Sequence, residues 1–209
     1  MPAAGLVLAA GSSRRMGSPK QLLSIDGRPL LEVVVAHACA SRLDEIVVVL
    51  GASADDIRGR VDLGRARVLV NLDFASGMAS SLRTGMAALD EDVDRVVVIL
   101  GDQPEIGDGL IDKLLDLQER SGLPAAALNF NGLLHPPVVL QRRLWGDLMA
   151  LEGDVGCRAV IRAQPELVAR LSSNDDLNHP VDIDTPEDYR RLQSMTKTVP
   201  HEGTDREHR

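Results

Sequence analysis

The chain of 209 residues is poor in aromatic side chains, with two Phe, one Tyr and one Trp, so its core must be built from Val, Leu, Ile and Ala. Cysteine is nearly as scarce. Cys39 and Cys157 are the only two, they form no C-x-x-C pair, and both fall in apolar stretches that read as helix. That placement suits small buried hydrophobes and excludes a disulfide framework or a zinc site. No run approaches 18 apolar residues, and Met1–Ala10 has no charged region leading into a long apolar block. These absences predict a chain with neither a membrane span nor a secretory leader, which is expected to be cytoplasmic. Excess positive charge is missing too: 23 Lys and Arg stand against 31 Asp and Glu, a formal net charge of −8. Three basic and three acidic residues balance from Thr196 onward, so the body carries the whole deficit. Such a body does not bind nucleic acid or an anionic membrane nonspecifically. A small anionic substrate stays compatible with it if positive charge is local and a divalent cation is present.

What remains is ample for one domain. Hydrophobic residues are 44% of the chain, and a chain of this size buries about 70% of the surface that its unfolded form exposes. Leu6–Ala9, Ile46–Leu50, Arg67–Val70 and Val96–Leu100 are short, nearly continuous aliphatic runs, the pattern of strands buried on both faces. Between them, Leu30–Ala40, Ala54–Val61, Met78–Leu89 and Leu110–Ser121 repeat apolar residues at three and four positions, as amphipathic helices do. The alternation predicts βαβ units on a single doubly wound, mostly parallel α/β sheet flanked by helices. Past Pro124, strands are expected at Ala125–Phe130 and Pro137–Leu140 around the Asn131-Gly132 turn, and helices at Gln141–Leu151 and Val155–Ala163. Thr185-Pro186-Glu187-Asp188 reads as a helix start, with Thr185 as N-cap and Pro186 in the first turn. One domain is expected over residues 1–195, and a disordered tail over 196–209.

The most informative stretch is Leu8–Lys20, LAAGSSRRMGSPK, directly after the first strand. Gly11 and Gly17 let backbone N–H groups approach an anion, while Arg15 and Lys20 supply a planar fork and a point charge for phosphate oxygens. It is neither of the two common phosphate loops. Gly11 and Gly17 are six apart and Gln21 follows Lys20, which breaks the Walker A pattern, and Ser13 stands where a dinucleotide fingerprint needs its second glycine.

Four further segments carry candidate chemistry. Gly101-Asp102-Gln103-Pro104 follows the buried run Val96–Leu100, at the strand end where open α/β sheets bind ligands. A carboxylate at Asp102 suits Mg²⁺, although a helix cap explains it as well. Asp182-Ile183-Asp184 would send both carboxylates to one face if extended, or Asp184 could simply favour the following helix dipole. Asn71–Gly85 leads through Gly77 into a helix whose N-terminus offers free N–H groups; Ser80 and Ser81 there could contact a base or ribose, or serve as ordinary caps. His135, in a loop beside Asn131-Gly132, is either a substrate contact or a surface residue.

Read in order, LAAG-x-S-x-RMG-x-x-K, G-M-x-S-S-L-R-x-G at Gly77–Gly85, GDQP at Gly101–Pro104, H-P at His135, GD-x-G-x-R at Gly153–Arg158 and DIDTPED at Asp182–Asp188 resemble the molybdenum cofactor cytidylyltransferase branch of the molybdopterin nucleotidyltransferase family. The resemblance covers residues 5 to about 193 and implies a GT-A-like fold. It also implies transfer of CMP from CTP to the terminal phosphate of molybdenum-bound molybdopterin, with release of pyrophosphate. Carried over by position, Lys20, Arg15 and Asp102 would be catalytic, and Asp102 with Asp184 would hold Mg²⁺. Leu8, Ala9, Ala10, Gly11, Ser12, Ser13, Asn71, Gly77, Ser80 and Ser81 would join Arg15, Lys20 and Asp102 around the nucleotide. Gln103, Pro104, His135, Asp154 and Arg158 would face the phosphorylated pterin acceptor. Ala10, where the guanylyl branch usually carries glycine, and GDQP both favour CTP over GTP. A molybdoenzyme or its maturation factor would take the product. Three alternatives stay open: a related nucleotidyltransferase with another base or acceptor, such as phosphoenolpyruvate or methylerythritol phosphate; a non-catalytic nucleotide- or cofactor-binding chaperone; and a Rossmann-type oxidoreductase.

Overall fold

β-Branched and leucine side chains on alternate sides of consecutive strands force helices onto both faces of a sheet. The computed structural model, which describes residues 1–13, 16–172 and 182–196, has that architecture. In chain order its elements are β1 (Ala3–Ala9), a 3-10 turn at Lys20–Leu22, β2 (Ser24–Ile25), β3 (Arg28–Pro29), α1 (Leu30–Ala40), β4 (Glu45–Leu50), α2 (Ala54–Arg60) and β5 (Arg67–Val70). There follow α3 (Met78–Met86), β6 (Arg95–Leu100), α4 (Asp108–Ser121), β7 (Ala125–Phe130), β8 (Leu133–Gln141), α5 (Trp145–Met149), α6 (Arg158–Ala163), β9 (Val168–Ser172) and α7 (Pro186–Thr196). Seven strands form one sheet in the order β5-β4-β1-β6-β8-β7-β9, and β2 and β3 pair in a separate small ribbon. β5, β4, β1 and β6 are mutually parallel, β8 runs antiparallel to both β6 and β7, and β9 returns parallel to β7.

The two faces bury two separate cores. Val7, Val48, Leu50, Val97 and Ile99 pack under α1, α2 and α4, with Ile183 and Leu192 from the C-terminal segment joining the same cluster. Leu6, Leu8, Val47, Val49, Val96 and Val98 point the other way, against Leu82, Leu148, Val160 and Ile161 of α3, α5 and α6. The C-terminal segment is tied in again where the Tyr189 hydroxyl donates to the Ser24 carbonyl, 2.6 Å away. The single Trp145 packs half-buried against the second of these cores, with the Arg142 guanidinium 4.7 Å from its ring centroid.

The sequence reading located the parallel half within three residues at every boundary, and the structure corrects it further along. β8 is longer than expected and carries an irregularity: Ala127 pairs with Val138 but Leu128 pairs with His135, so Pro136 and Pro137 stand out of register. Neither proline has an N–H to give the ladder, and this is how two of them fit inside a strand. β9 and the β2–β3 ribbon were not foreseen, and α6 starts at Arg158 rather than Val155. The tail expected beyond residue 196 lies outside the described residues. Among the described residues, no helix is long and apolar enough to cross a membrane.

Both cysteines are free, Cys39 half-buried and Cys157 buried, and burial pushes the Cys157 thiol up to about 12. A thiolate is the reactive form. At pH 8 a disulfide reagent is therefore expected to titrate one thiol in the folded protein, Cys39, and two after unfolding; rapid native labelling of Cys157 would contradict this packing.

Candidate active site

β1 and β6 lie side by side, yet the chain leaves them toward opposite parts of the sheet. Crevices in open α/β sheets form at such a switch point. Here the crevice is a cavity of about 640 Å³ at the strands' carboxyl ends. Leu8–Ser13 after β1 form one wall, Leu100–Asp102 after β6 the floor, and Phe74–Met78 with Ser81 the opposite wall. Lys20, Gln21, Asp154, Asp182 and Asp184 complete it.

The centre of the floor is an ammonium between two carboxylates. Lys20 Nζ is 2.5 Å from Asp102 Oδ2 and 2.9 Å from Asp184 Oδ1, and the Lys20 and Asp102 side chains are only 15% and 14% exposed. Burial alone would lower the Lys20 pKa, but the Asp102 carboxylate, aided by Asp184, outweighs it and holds the ammonium above its usual range. For Asp102 burial is the larger effect and lifts it above the ordinary carboxylate range, against the pull of Lys20. A cation is thus required beside Asp102 if it is to stay charged. Its second oxygen, Oδ1, is buried with no hydrogen-bond partner among the described residues.

Asp182 and Asp184 both reach the cavity because Ile183 between them is fully buried, the arrangement that their alternation suggested. Only Asp184 meets Lys20; Asp182 Oδ1 instead accepts from Gln103 Nε2 at 2.6 Å. Asp184 is held by the start of α7, where Asp188 Oδ2 accepts from the N–H groups of Asp184 and Thr185, at 3.2 and 2.8 Å, and from the Thr185 hydroxyl at 2.7 Å. Asp188 N–H donates back to Thr185 Oγ1 at 3.2 Å, which closes a capping box.

The wall opposite β1 depends on one glycine. Gly77 has φ +110°, and a Cβ there would sit 2.3 Å from the Gly153 carbonyl carbon. Two main chains therefore meet without side chains between them: Ala79 N–H donates to the Gly153 carbonyl at 3.1 Å, and Met78 N–H to Asp154 Oδ1 at 3.4 Å. This corrects the expectation that the α3 N-terminus offers free N–H groups, since the 153–154 loop already occupies them. Gly101 is likewise needed for packing, because a Cβ would lie 2.9 Å from Ala9 Cβ and 3.0 Å from the Leu8 carbonyl.

Of the nucleotide candidates, Leu8–Ser13, Lys20, Gly77, Ser81 and Asp102 line the cavity together. Asn71 and Ser80 do not. Both are buried behind the wall, with Asn71 Nδ2 donating to the hydroxyls of Ser80 and Ser81 at 2.7 and 3.0 Å. Arg15 lies outside the described residues. Of the acceptor candidates, Asp154 stands at the rim. Gln103 and Pro104 are buried and do not line the cavity, and Gln103 bonds to Asp182. His135 packs on Phe130, ring centroids 5.9 Å apart and edge-on, and neither it nor Arg158 reaches the cavity wall. Gln21 and Phe74 line the cavity without having been foreseen. Phe74 carries a signal in the sequence, an aromatic side chain in a polar loop of an aromatic-poor chain, whereas nothing local marks Gln21.

Strand order and cavity position together define an open, mostly parallel α/β sheet with a ligand crevice at its switch point, and comparison with known proteins places it among nucleotidyltransferases. Residues 5–170 match the MobA-like NTP transferase domain, and the chain belongs to that family. Nicotine blue oxidoreductase of Paenarthrobacter nicotinovorans is 33% identical over 201 residues, spanning 90% of this chain and 95% of its own. A solved homologue of Mycobacterium tuberculosis Rv0371c, from Mycobacterium sp. strain JC1, is 31% identical with a TM-score of 0.82, over 93% of this chain and 96% of that one. Rv0371c of M. tuberculosis H37Rv has been solved in complex with manganese; it is 28% identical, with a TM-score of 0.80, over 93% of this chain and 99% of its own.

The Thr185 hydroxyl, with the backbone N–H groups beside it, holds the Asp188 carboxyl below the usual range. Its stabilising contribution is present above the ordinary carboxylate pKa and is lost as pH falls through the lowered one. Asp188→Ala should destabilise the protein by about 1 kcal/mol at pH 7, the scale of a lost helix cap. Thermal melts of both forms should converge in acid.

Proposed function

We propose that the protein transfers CMP from CTP to the terminal phosphate of molybdenum-bound molybdopterin, releasing pyrophosphate, with Mg²⁺ as the divalent cation. The observation that carries the reading is the Lys20–Asp102–Asp184 cluster on the cavity floor, beneath a glycine- and serine-rich loop. The choice of CTP and of a pterin acceptor rests on the Ala10, GDQP, H-P and GD-x-G-x-R resemblance.

A phosphate oxygen attacking the α-phosphorus needs little help from a base, because it is already anionic. The obstacles are repulsion between two polyanions and the charge that leaves on pyrophosphate, so positioning and electrostatic stabilisation dominate. Four carboxylates line the cavity and, among the described residues, one cation, so the triphosphate needs further positive charge to enter. Asp102 and Asp184 fit a hard cation. The buried, unpartnered Asp102 Oδ1 supplies one ligand, and no set of three or more such side chains among the described residues would complete a protein cage, leaving room for water and phosphate oxygens. Bound there, Mg²⁺ would neutralise and orient the phosphates. Lys20 would turn its ammonium to the phosphate oxygens, and the Leu8–Ser13 loop would hold the nucleotide against Phe74–Met78.

A second reading, a redox enzyme, is favoured by the 33% identity to a protein named as an oxidoreductase. Against it, β4 ends in Leu50-Gly51-Ala52-Ser53, without the carboxylate that dinucleotide folds place there for the ribose.

The deciding assay is pyrophosphate release with purified molybdenum cofactor and Mg²⁺, run in parallel with CTP, GTP, UTP and ATP, with NAD(P)H oxidation followed beside it. Release with CTP alone is expected. Release with GTP would move the chain to the guanylyl branch, and hydride transfer without release would replace the reading altogether. Lys20→Ala and Asp102→Asn should each lower turnover on the order of 10²-fold, the scale of one preorganised stabilising group. Because Lys20 already occupies both carboxylates, Lys20→Met should bind Mn²⁺ without nucleotide on the order of tenfold more tightly than the parent protein, about 1.4 kcal/mol. Equal affinities by calorimetry would mean that the two cations do not share those ligands.

A further inference from the structure

Gln21 follows Lys20 in the 3-10 turn and points back into the protein, where it is 2% exposed. Its amide nitrogen donates to the carbonyls of Ala9, at 2.8 Å, and Gly11, at 3.2 Å. The carbonyl between them, that of Ala10, accepts from the Ala52 N–H at 3.3 Å. Three consecutive carbonyls of the loop are therefore satisfied from inside. In a trans peptide the N–H points opposite to the C=O of the same plane. Turning the Ala10 and Gly11 carbonyls inward turns the N–H groups of Gly11 and Ser12 the other way, and both residues line the cavity. No hydrogen bond among the described residues uses either N–H.

The same side chain ties the loop's far end. Gln21 Oε1 accepts from the Ser13 hydroxyl at 3.4 Å, and Ser13 Oγ accepts from the Lys20 N–H at 3.0 Å. One residue thus links the end of β1 to the peptide that carries the site's ammonium. Only glutamine has this reach together with two donor hydrogens on one atom and an acceptor beside it. Glutamate has no donor when ionised, and methionine fills the space without donor or acceptor of comparable strength.

We propose that Gln21 is the positioning residue of the nucleotide loop: by holding the Ala9 and Gly11 carbonyls inward it turns the Ser12 N–H toward acceptor oxygens of the nucleotide and fixes the peptide planes on both sides of the Ala10–Gly11 plane, whose Gly11 N–H faces the same way while Ala52 holds its carbonyl. The inference rests on the nucleotide reading above and adds to it the recognition device. Gln21 touches no ligand and acts through two peptide planes. Its removal should cost nucleotide affinity rather than fold.

The test is equilibrium binding of CTP to the full chain by calorimetry in Mg²⁺, for the parent protein, Gln21→Met and Gln21→Glu, with thermal melts and amide NMR alongside. In the parent protein, the Gly11 and Ser12 amide resonances should shift when CTP binds. Both variants should melt cooperatively and bind CTP on the order of tenfold more weakly, with those two shifts reduced or lost. Parental affinity in a folded variant would overturn the inference. So would weaker binding with the two shifts intact, because that outcome describes a merely structural side chain. If neither variant folds, the parent spectrum decides alone: CTP binding that leaves Gly11 and Ser12 unmoved overturns it. A parent protein that binds none of CTP, GTP, UTP or ATP would remove the nucleotide reading and this inference with it, whereas failure of the inference alone leaves parental CTP binding in place.

Discussion

A buried carboxylate beside a buried ammonium sets the terms for the rest of this structure. Asp102 and Lys20 are 82 residues apart, and Asp184 is 164 residues from Lys20, so three distant stretches must converge within a hydrogen bond's length. Each arrives by a different means. β6 delivers Asp102 at its carboxyl end, the 3-10 turn delivers Lys20, and Ile183, plugged into the core, delivers Asp184. Removing Lys20 would leave Asp102 without its cation in a place that water reaches poorly, where an uncompensated ion is costly. The sheet, the helices over it and the C-terminal segment share the task of keeping those groups together.

Around that centre the site is made mostly of main chain. The loop after β1 is oriented through its carbonyls, and the facing wall is two backbones in contact at Gly77 and Gly153. Side chains that looked like ligands, Asn71, Ser80 and Gln103, turn out to be the struts beneath. The donors and acceptors that line the cavity are thus held by side chains packed behind them.

The parallel half of the fold was legible because strands buried on both faces have a composition that little else shares, as Ile46–Leu50 and Val96–Leu100 illustrate. β8 was less so, since two prolines interrupt the pattern that defines a strand. The floor of the site was legible in Lys20, Asp102 and Asp184, each placed by a strand end, a loop or a helix cap with a local signature. Gln21 was not. Its role depends on the direction in which a side chain points and on partners ten and twelve residues away, and neither leaves a periodicity to read. The α3 N-terminus misled for a similar reason: helix geometry frees its N–H groups, and only the folded chain shows that the 153–154 loop claims them.

The meeting of Gly77 with Gly153 bears on how such a protein diversifies. Where Gly77 meets Gly153 there is no side chain to exchange, so substitution cannot reshape that contact by small steps. A larger residue at Gly77 is either fatal to the contact or forces the whole loop aside. Its neighbours Ala75, Glu152 and Val155 are exposed, so a change of side chain there meets solvent rather than packed main chain. Novelty in what this cavity's rim greets is therefore confined to a fringe of exposed positions, while the passage behind them is inherited almost as a casting.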